Sequence, residues 1–310
     1  MNVFHSIQDF KSSEKTIVTL GTFDGMHIGH RAILNKLKLQ KNNPGYKTLV
    51  LTFFPHPRMV LKTDHKILLL NTIEERIQLI KDFGIDYLVV QEFTQDFANL
   101  SAEEFVKNVL VDQFNIAKIV IGYDHHFGKN RSANIHDLME FGKKYHFDVE
   151  QISAEELDHV SISSTKIRKA LTEGNVSLAK DYLGYPYMIS GKVVKGKQLG
   201  RTIGFPTANI QIAEDYKLVP AIGVYVVGVT VREKEYYGML SIGTNPTVGG
   251  LEKTIEVHIF DFNEDLYNDK ITVHFLTKIR EEQKFASLDL LIEALKEDEQ
   301  FSKEYLSNNS

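Results

Sequence analysis

Apolar and polar positions follow two rhythms along this chain. Up to about residue 183, short apolar runs alternate with segments whose apolar residues recur about every 3.6 positions. The runs at 16–23 (TIVTLGTF), 47–54 (KTLVLTFF), 86–90 (DYLVV) and 117–122 (AKIVIG) predict buried strands. The segments between them predict helices, two of them opened by a capping box, Thr72 with Glu75 and Ser101 with Glu104. Gly84 stands where the first of these helices should stop. Strand and helix in alternation predict an α/β fold, a parallel sheet covered on both faces in the Rossmann-like class.

Beyond residue 183 the period shortens. Residues 223–231 and 235–243 flank a polar turn and predict a hairpin, and alternating strands follow at 254–262 and 270–279. Short strands at close spacing predict an antiparallel β-barrel or sandwich, closed by an amphipathic helix over 287–305. The stretch LGYPY (183–187) divides the chain into expected domains at 1–183 and 184–310.

Bulk composition agrees. A chain of 310 residues has room for two domains of about 100–200 residues each. With 43% hydrophobic and 25% charged residues it is globular in type. A net charge of −5 argues against a nucleic-acid or membrane-surface partner and leaves anions to local sites. The chain has no cysteine, which excludes disulfides, cysteine-held zinc and thiol catalysis, and fits a reducing, cytoplasmic setting. The opening MNVFHSIQDFKSSEK has no apolar core of a secretory leader, and no apolar run is long enough to span a bilayer.

Two segments carry candidate chemistry. GTFDGMHIGH (21–30) leaves the first strand at Gly21, turns through Phe23, Asp24 and Gly25, and restarts as a helix near His27. Ligands of open parallel sheets bind outside the carboxyl ends of the strands, and a fresh helix offers free N–H groups and a positive dipole end to phosphate. His27 and His30 share one helical face. Two imidazoles there can neutralise charge developing as pyrophosphate leaves a triphosphate. A tight turn with two solvated histidines is the plainer alternative; the buried strand ahead and the flanking glycines favour nucleotide. SISSTKIRKAL (161–171) sets Ser163, Ser164 and Thr165 at a helix start with Lys166 and Arg168 close behind. That set suits the outer phosphates of ATP, or an ordinary N-cap with a basic surface. FFPHPRMVL (53–61), with His56 and Pro57, and GYDHHFGKNR (122–131), with Phe127 as a stacking or packing surface, follow two further strands; core aromatics and a proline-fixed turn are the plainer alternative, and by themselves these residues identify no ligand.

In the second half, GKQLGRTIGFPTANI (196–210) punctuates a basic stretch, Lys195, Lys197 and Arg201, with Gly196, Gly200 and Gly204. Such a loop can bring backbone N–H groups and cations to a phosphate. In the continuing Pro206-Thr207-Ala208-Asn209, an extended chain points Thr207 and Asn209 the same way. A hydroxyl and an amide oxygen together make a hard-oxygen seat for Mg²⁺; a barrel strand with incidental polar residues is the alternative. Glu256 lies in the strand 254–262 on the face of His258, Phe260 and Phe262. A carboxylate there is either ion-paired or used, for instance as a base that deprotonates an attacking alcohol.

Taken in order, these motifs resemble the bifunctional riboflavin kinase/FMN adenylyltransferase family, the prokaryotic FAD synthetases, over nearly the whole chain. GTFDGMHIGH resembles the family's adenylyltransferase turn, FFPHP and GYDHHFGKNR its flavin-side loops, and SISSTKIR its closing phosphate loop. GRTIGFPTAN, SIGTNPTVGG (241–250) and the strand holding Glu256 resemble its kinase module. The resemblance implies ATP-dependent phosphorylation of riboflavin to FMN in the barrel, with Glu256 as base, Thr207 and Asn209 on Mg²⁺, and the loop over nucleotide. It then implies adenylyl transfer from a second ATP to FMN, giving FAD and pyrophosphate. Gly21, Phe23, Asp24, Gly25, His27, His30, Ser163, Ser164, Thr165 and Arg168 would serve that ATP. His56, Pro57, Asp124 and Phe127 would lie on the flavin side. His125, His126, Ala133 and Asn134 depart from the family's usual residues, which weakens those flavin-side assignments most. The expected partners are small molecules alone, with the protein a monomer or weak homo-oligomer.

Two rival readings stay in view. One keeps only one module catalytic. The other is a tRNA-charging relative, since HxGH occurs there too; an acidic charge and the lack of a KMSKS-like loop count against it.

Overall fold

The computed structural model describes residues 1–40, 45–61, 67–123, 125–153, 162–196, 199–247 and 250–309, with backbone only at 199, 245–247 and 250–252. The chain packs as two compact units, Met1–Ile162 and Ser163–Ser310.

The first unit is built on a six-stranded parallel sheet. Its strands are β1 (Asn2–Phe4), β2 (Lys15–Leu20), β3 (Tyr46–Phe54), β4 (Tyr87–Glu92), β5 (Ile116–Gly122) and β6 (Asp148–Ile152). Spatial order is β1-β4-β3-β2-β5-β6, with every pairing parallel. The four expected runs are β2 to β5. The edge strands β1 and β6 escape a hydrophobicity reading because NVF and DVEQI are half exposed. From β2 the chain steps outward to β3 and β4, then returns to the other side of β2 as β5. The carboxyl ends of β2 and β5 therefore flank the switch point at which such sheets bind ligands.

Helices α1 (Ile28–Leu39), α2 (Pro57–Val60), α3 (Ile73–Lys81), α4 (Gln95–Ala98), α5 (Ala102–Glu104) and α6 (Ile135–Tyr145) belong to this unit. Both expected capping boxes form. Thr72 Oγ1 accepts the Glu75 N–H at 3.2 Å while Glu75 returns a carboxylate to the Thr72 N–H at 3.0 Å. Ser101 and Glu104 do the same. Each cap is worth about 1 kcal/mol.

One helix departs from expectation. After a single α turn, Phe105–Val111 continues as a π-helix, with N–H groups of Asp112 and Phe114 reaching back to Lys107 and Val109, both at 2.9 Å. The wider turn buries Phe105, Val106, Val109 and Leu110 together. It sets Phe105 within ring contact of both Phe97 and Phe127.

The second unit opens with α7 (Ser164–Thr172) and α8 (Val176–Leu183). A closed antiparallel barrel follows: β7 (Met188–Val194), β8 (Ala208–Gln211), β9 (Gly223–Val231), β10 (Lys234–Thr247), β11 (Gly250–Ile259) and β12 (Lys270–Arg280), in the order β10-β11-β8-β7-β12-β9. A short helix, α9 (Leu199–Thr202), interrupts the connection before β8, and α10 (Leu288–Asn308) ends the chain. Packing divides the chain ahead of the expected 183/184 position. The reason is that α7 and α8 pack on the barrel: α8 lies along β12, and the Leu171 carbonyl accepts the Ala221 N–H at 2.9 Å.

The expected hairpin is β9–β10. Its turn residues, Arg232 and Glu233, both have positive φ, 47° and 69°, without the glycine or asparagine such turns favour. The Arg232 guanidinium holds the turn by reaching Asp269 at 2.6 Å and Glu264 at 2.7 Å. At the far end, Arg280 forks onto Asp298 of α10 at 2.9 and 2.7 Å, with Asp298 almost fully buried.

Candidate active sites

The turn after β2 is strained and clasped. Phe23, Gly25 and Met26 have φ of 49°, 86° and 40°, and the side chains of Phe23 and Met26 are buried. Left-handed backbone costs about 1–2 kcal/mol at each of the two non-glycine positions. The wholly buried Asp24 offsets this. Its Oδ1 accepts the N–H groups of Leu70 and Asn71 at 2.9 and 3.2 Å, and Asn71 Oδ1 accepts the Gly25 N–H at 2.9 Å. Hydrogen bonds to a carboxylate are worth about 1.5–3 kcal/mol each, enough to hold the turn. Asp24, expected among the ATP residues, is buried in the protein and clasps the turn to the segment ahead of α3. Gly21 extends the β2–β3 pairing, its N–H reaching the Leu51 carbonyl at 3.1 Å.

His27 caps α1, its carbonyl accepting the Arg31 N–H at 2.9 Å. Its ring stacks on His30 with centroids 3.7 Å apart and planes 20° from parallel, and the edge of Phe23 meets His30 at 5.2 Å. Burial holds the His30 imidazole well below its usual titration range, helped by the neighbouring charges of His27 and Arg76. Like charges this close do not both form. Two positive charges on the stacked pair are therefore disfavoured, and His30 is held as the neutral imidazole, which keeps one N–H to donate. His30 Nδ1 is buried without a protein partner among the described residues.

One residue the motifs did not flag reaches the same place. Arg76 of α3 is wholly buried, and its Nη1 donates to Thr52 Oγ1 at 3.3 Å and to the Phe53 carbonyl at 3.1 Å. Thr52 Oγ1 in turn donates to the Thr22 carbonyl at 3.1 Å. The sequence does carry a signal: Arg76 falls within the apolar stripe of Ile73, Ile77 and Ile80.

The loops expected on the flavin side divide. His56 follows the cis Phe54–Pro55 bond and caps α2, its Nδ1 accepting the Arg58 N–H at 3.1 Å, with Pro57 the first helical residue. Phe127 is core, joined through Phe105 and Phe97 to Phe53 by ring contacts of 6.1, 6.1 and 5.7 Å. Gly128, at φ 73°, comes so close to the Ala102 backbone that a side-chain carbon would sit 3.0 Å from it, and the Lys129 N–H bonds the Leu100 carbonyl at 2.8 Å. Asp124 lies outside the described residues. In the second unit, Ser163 caps α7 by accepting the Lys166 N–H at 3.3 Å; Ser164 and Arg168 are half-buried and Thr165 is exposed.

The second constellation comes from strand register. Antiparallel pairing sets Asn209 of β8 opposite Glu256 of β11, and Ser241 of β10 faces Glu256 from the other side. Thr207, one residue ahead of β8, donates its hydroxyl to Glu256 Oε2 at 3.2 Å. Along β11, Ile255, Val257 and Ile259 are buried while Thr254, Glu256 and His258 are half-exposed. The carboxylate thus lies on the wetter face, beside His258 as expected, whereas Phe260 and Phe262 lie beyond the strand. Among the described residues no lysine or arginine pairs with Glu256; its partner is Thr207. The Pro206 carbonyl meets His258 Nδ1 at 2.7 Å.

Gly196 lies against the Asn209 side-chain amide, where any β-carbon would overlap it. Gly200 closes a tight turn, its carbonyl accepting the N–H groups of Ile203 and Phe205 at 3.2 and 2.9 Å; Gly204 and Arg201 are exposed. Lys197 lies outside the described residues. A hydroxyl, an amide and a carboxylate thus converge on one face, a hard-oxygen donor set suited to a small divalent cation shared with substrate phosphates.

Comparison with known proteins matches both halves. A family described as FAD synthetase matches residues 9–166, and one described as riboflavin kinase matches residues 183–306. The bifunctional riboflavin kinase/FMN adenylyltransferase of Escherichia coli K12 is 38% identical over 94% of this chain and 93% of its own length. That of Listeria monocytogenes is 38% identical over 94% of this chain and 92% of its own. A crystal structure from Streptococcus pneumoniae, described as a macrolide-efflux protein, is 35% identical with a TM-score of 0.88, covering 97% of this chain and 98% of that one. Among the described residues of this chain, no helix is long and apolar enough to cross a membrane. With both domain families in series and such relatives aligned along nearly its whole length, the chain belongs to the bifunctional riboflavin kinase/FMN adenylyltransferase family.

Proposed function

We propose that this chain makes FAD from riboflavin in two ATP-dependent steps, the first in the barrel half (184–310) and the second in the N-terminal half (1–183). The observation that carries the reading is the convergence of Thr207, Asn209 and Glu256, set by the pairing of β8 with β11.

In the kinase step Glu256 accepts the proton of the ribityl 5′-hydroxyl as its oxygen attacks the γ-phosphorus of ATP; ADP leaves and FMN remains. Thr207 and Asn209 would hold Mg²⁺, which when bound supplies charge neutralisation at the ATP phosphates. Gly196, Lys197, Gly200, Arg201, Gly204 and Pro206 would line the nucleotide side. Thr207 orients the Glu256 carboxylate before substrate arrives.

In the adenylyl step a phosphate oxygen of FMN attacks the α-phosphorus of a second ATP, and pyrophosphate leaves in line. Gly21, Phe23 and Gly25 shape the turn under the nucleotide, and His27 and His30 donate hydrogen bonds to the phosphates. Ser163, Ser164, Thr165 and Arg168 are assigned to the outer phosphates by family resemblance. His56, Pro57 and Asp124 are assigned in the same way to the flavin. Asp24 and Phe127 support the turn and the loop from within. Two ATP molecules consumed per FAD fit a cytoplasmic enzyme.

The test is product analysis of the purified full chain with riboflavin, ATP and Mg²⁺. FMN should appear first, then FAD with stoichiometric pyrophosphate, and both should stop when Mg²⁺ is chelated. FMN without FAD removes the second step; neither product, with Mg²⁺ present, removes the reading.

A further inference from the structure

Among the described residues, the largest fully buried side chain is a cation, Arg76. Charged side chains are seldom fully buried unless they are paired or hydrogen-bonded there. Ile73, Ile77 and Ile80 of the same stripe are half-buried or buried, so the position is one where an apolar residue is expected. What distinguishes Arg76 is where its donors go. They meet Thr52 and the Phe53 carbonyl, at the end of β3, and Thr52 passes the link to the Thr22 carbonyl in the turn that carries both histidines. Phe23, the next residue, puts its ring edge on His30.

We propose that Arg76 is a positioning residue for adenylyl transfer, holding the turn at residues 21–30 against the end of β3 and supplying a fixed positive charge to the triphosphate crevice from inside the fold. The proposal rests on reading that crevice as the adenylyl-transfer site. A guanidinium stays charged at every working pH, so the crevice keeps this charge without relying on an imidazolium. It also acts on the imidazoles: the charged and titratable groups acting on His30 are His27, in its own turn, and Arg76, from α3. Asp24, in the same turn, gives Oδ1 to the N–H groups of Leu70 and Asn71. Burial first, and then His27 and Arg76, disfavour a second ring proton on His30, which leaves it a neutral hydrogen-bond donor to a phosphate oxygen.

The full chain allows a clean test, because FMN formation reports on the other half. Arg76→Met and Arg76→Lys are compared with wild type for FMN formation from riboflavin and for FAD formation from supplied FMN, the latter across pH 5–8. Arg76→Met should leave FMN formation within twofold, lower FAD formation at least tenfold, and move the acid limb of its pH profile upward, because His30 then takes a proton more readily. Arg76→Lys should restore at least a third of wild-type FAD formation and leave the limb in place. A limb in Arg76→Met that coincides with that of wild type would overturn the proposal, as would an Arg76→Lys protein no more active than Arg76→Met. Should Arg76→Met fail to fold, the lysine variant alone decides: restored FAD formation supports the proposal and its loss overturns it. Failure of wild type to form any FAD would instead remove the adenylyl-transfer reading itself.

Discussion

The two proposed phosphate sites are assembled by opposite means. In the barrel, strand register sets Asn209 opposite Glu256, held by the same pairing that makes the barrel, and Thr207, one residue ahead of β8, hydrogen-bonds Glu256. In the N-terminal unit the stacked His27 and His30 stand on a turn with two left-handed non-glycine residues, held by the turn's own Asp24 and by Asn71 and Arg76 from elsewhere in the chain. A register-built site is as stable as its strands and carries its chemistry on the side chains themselves. The turn-built arrangement is supported by buried polar groups drawn from distant parts of the chain.

That contrast can be broken one site at a time. The largest effect is expected from Glu256→Gln, which removes the base but keeps the Thr207 contact: FMN formation should fall by about 10²–10⁴-fold, with FAD formation from supplied FMN unchanged. An FMN rate within threefold of wild type would leave Glu256 without its role. Next comes Asp24→Ala, which strands two buried N–H groups. Urea unfolding of the first unit should show a loss of about 1–3 kcal/mol for each, and FAD formation should fall steeply while FMN formation holds. Equal losses in both reactions would show that the turn is not a separate support.

A smaller, sharper effect is expected from Gly196→Ala, whose new methyl group displaces the Asn209 amide. The Mg²⁺ concentration giving half-maximal FMN formation should rise by about 10-fold, and an unchanged Mg²⁺ dependence would detach Asn209 from the metal. The smallest effect concerns acid. An unfolded His30 binds a proton below about pH 6.5, whereas the folded imidazole, lowered by burial and its cationic neighbours, refuses it. Stability of the first unit should therefore fall as pH drops below that value and recover as pH rises. Melting curves at pH 7 and 5.5 check this, and His30→Gln should lose less; an equal loss would exclude His30 as the source.

Much of this was legible in the sequence because periodicity decides which way a side chain points. The alternation along β11 sets Glu256 and His258 on one face and Val257 on the other, and the spacing of Thr207 and Asn209 works in the same way. The two capping boxes and the β9–β10 hairpin are local hydrogen-bond chemistry, so their residues announce them. What was not legible depends on contacts far apart in the chain. Asp24 sits in a motif that predicts contact with ATP, yet its side chain bonds Leu70 and Asn71, while Phe127, open to either a flavin-side or a core place, packs on Phe105. The strands β1 and β6 gain their place from their neighbours rather than from apolar runs. Phe105–Val111 widens into a π-helix that buries four apolar side chains together, and no propensity marks that. Arg232 and Glu233 take up positive φ in a turn where Arg232 pairs with Asp269 and Glu264, partners more than thirty residues away.

The row of phenylalanines from Phe53 through Phe97 and Phe105 to Phe127 has a dynamic consequence. The loops that leave β3 and β5 rest on one continuous apolar row, pinned at its far end where Gly128 meets Ala102. They cannot breathe separately: amide protons near Phe53 and Lys129 should exchange with solvent in a single opening event.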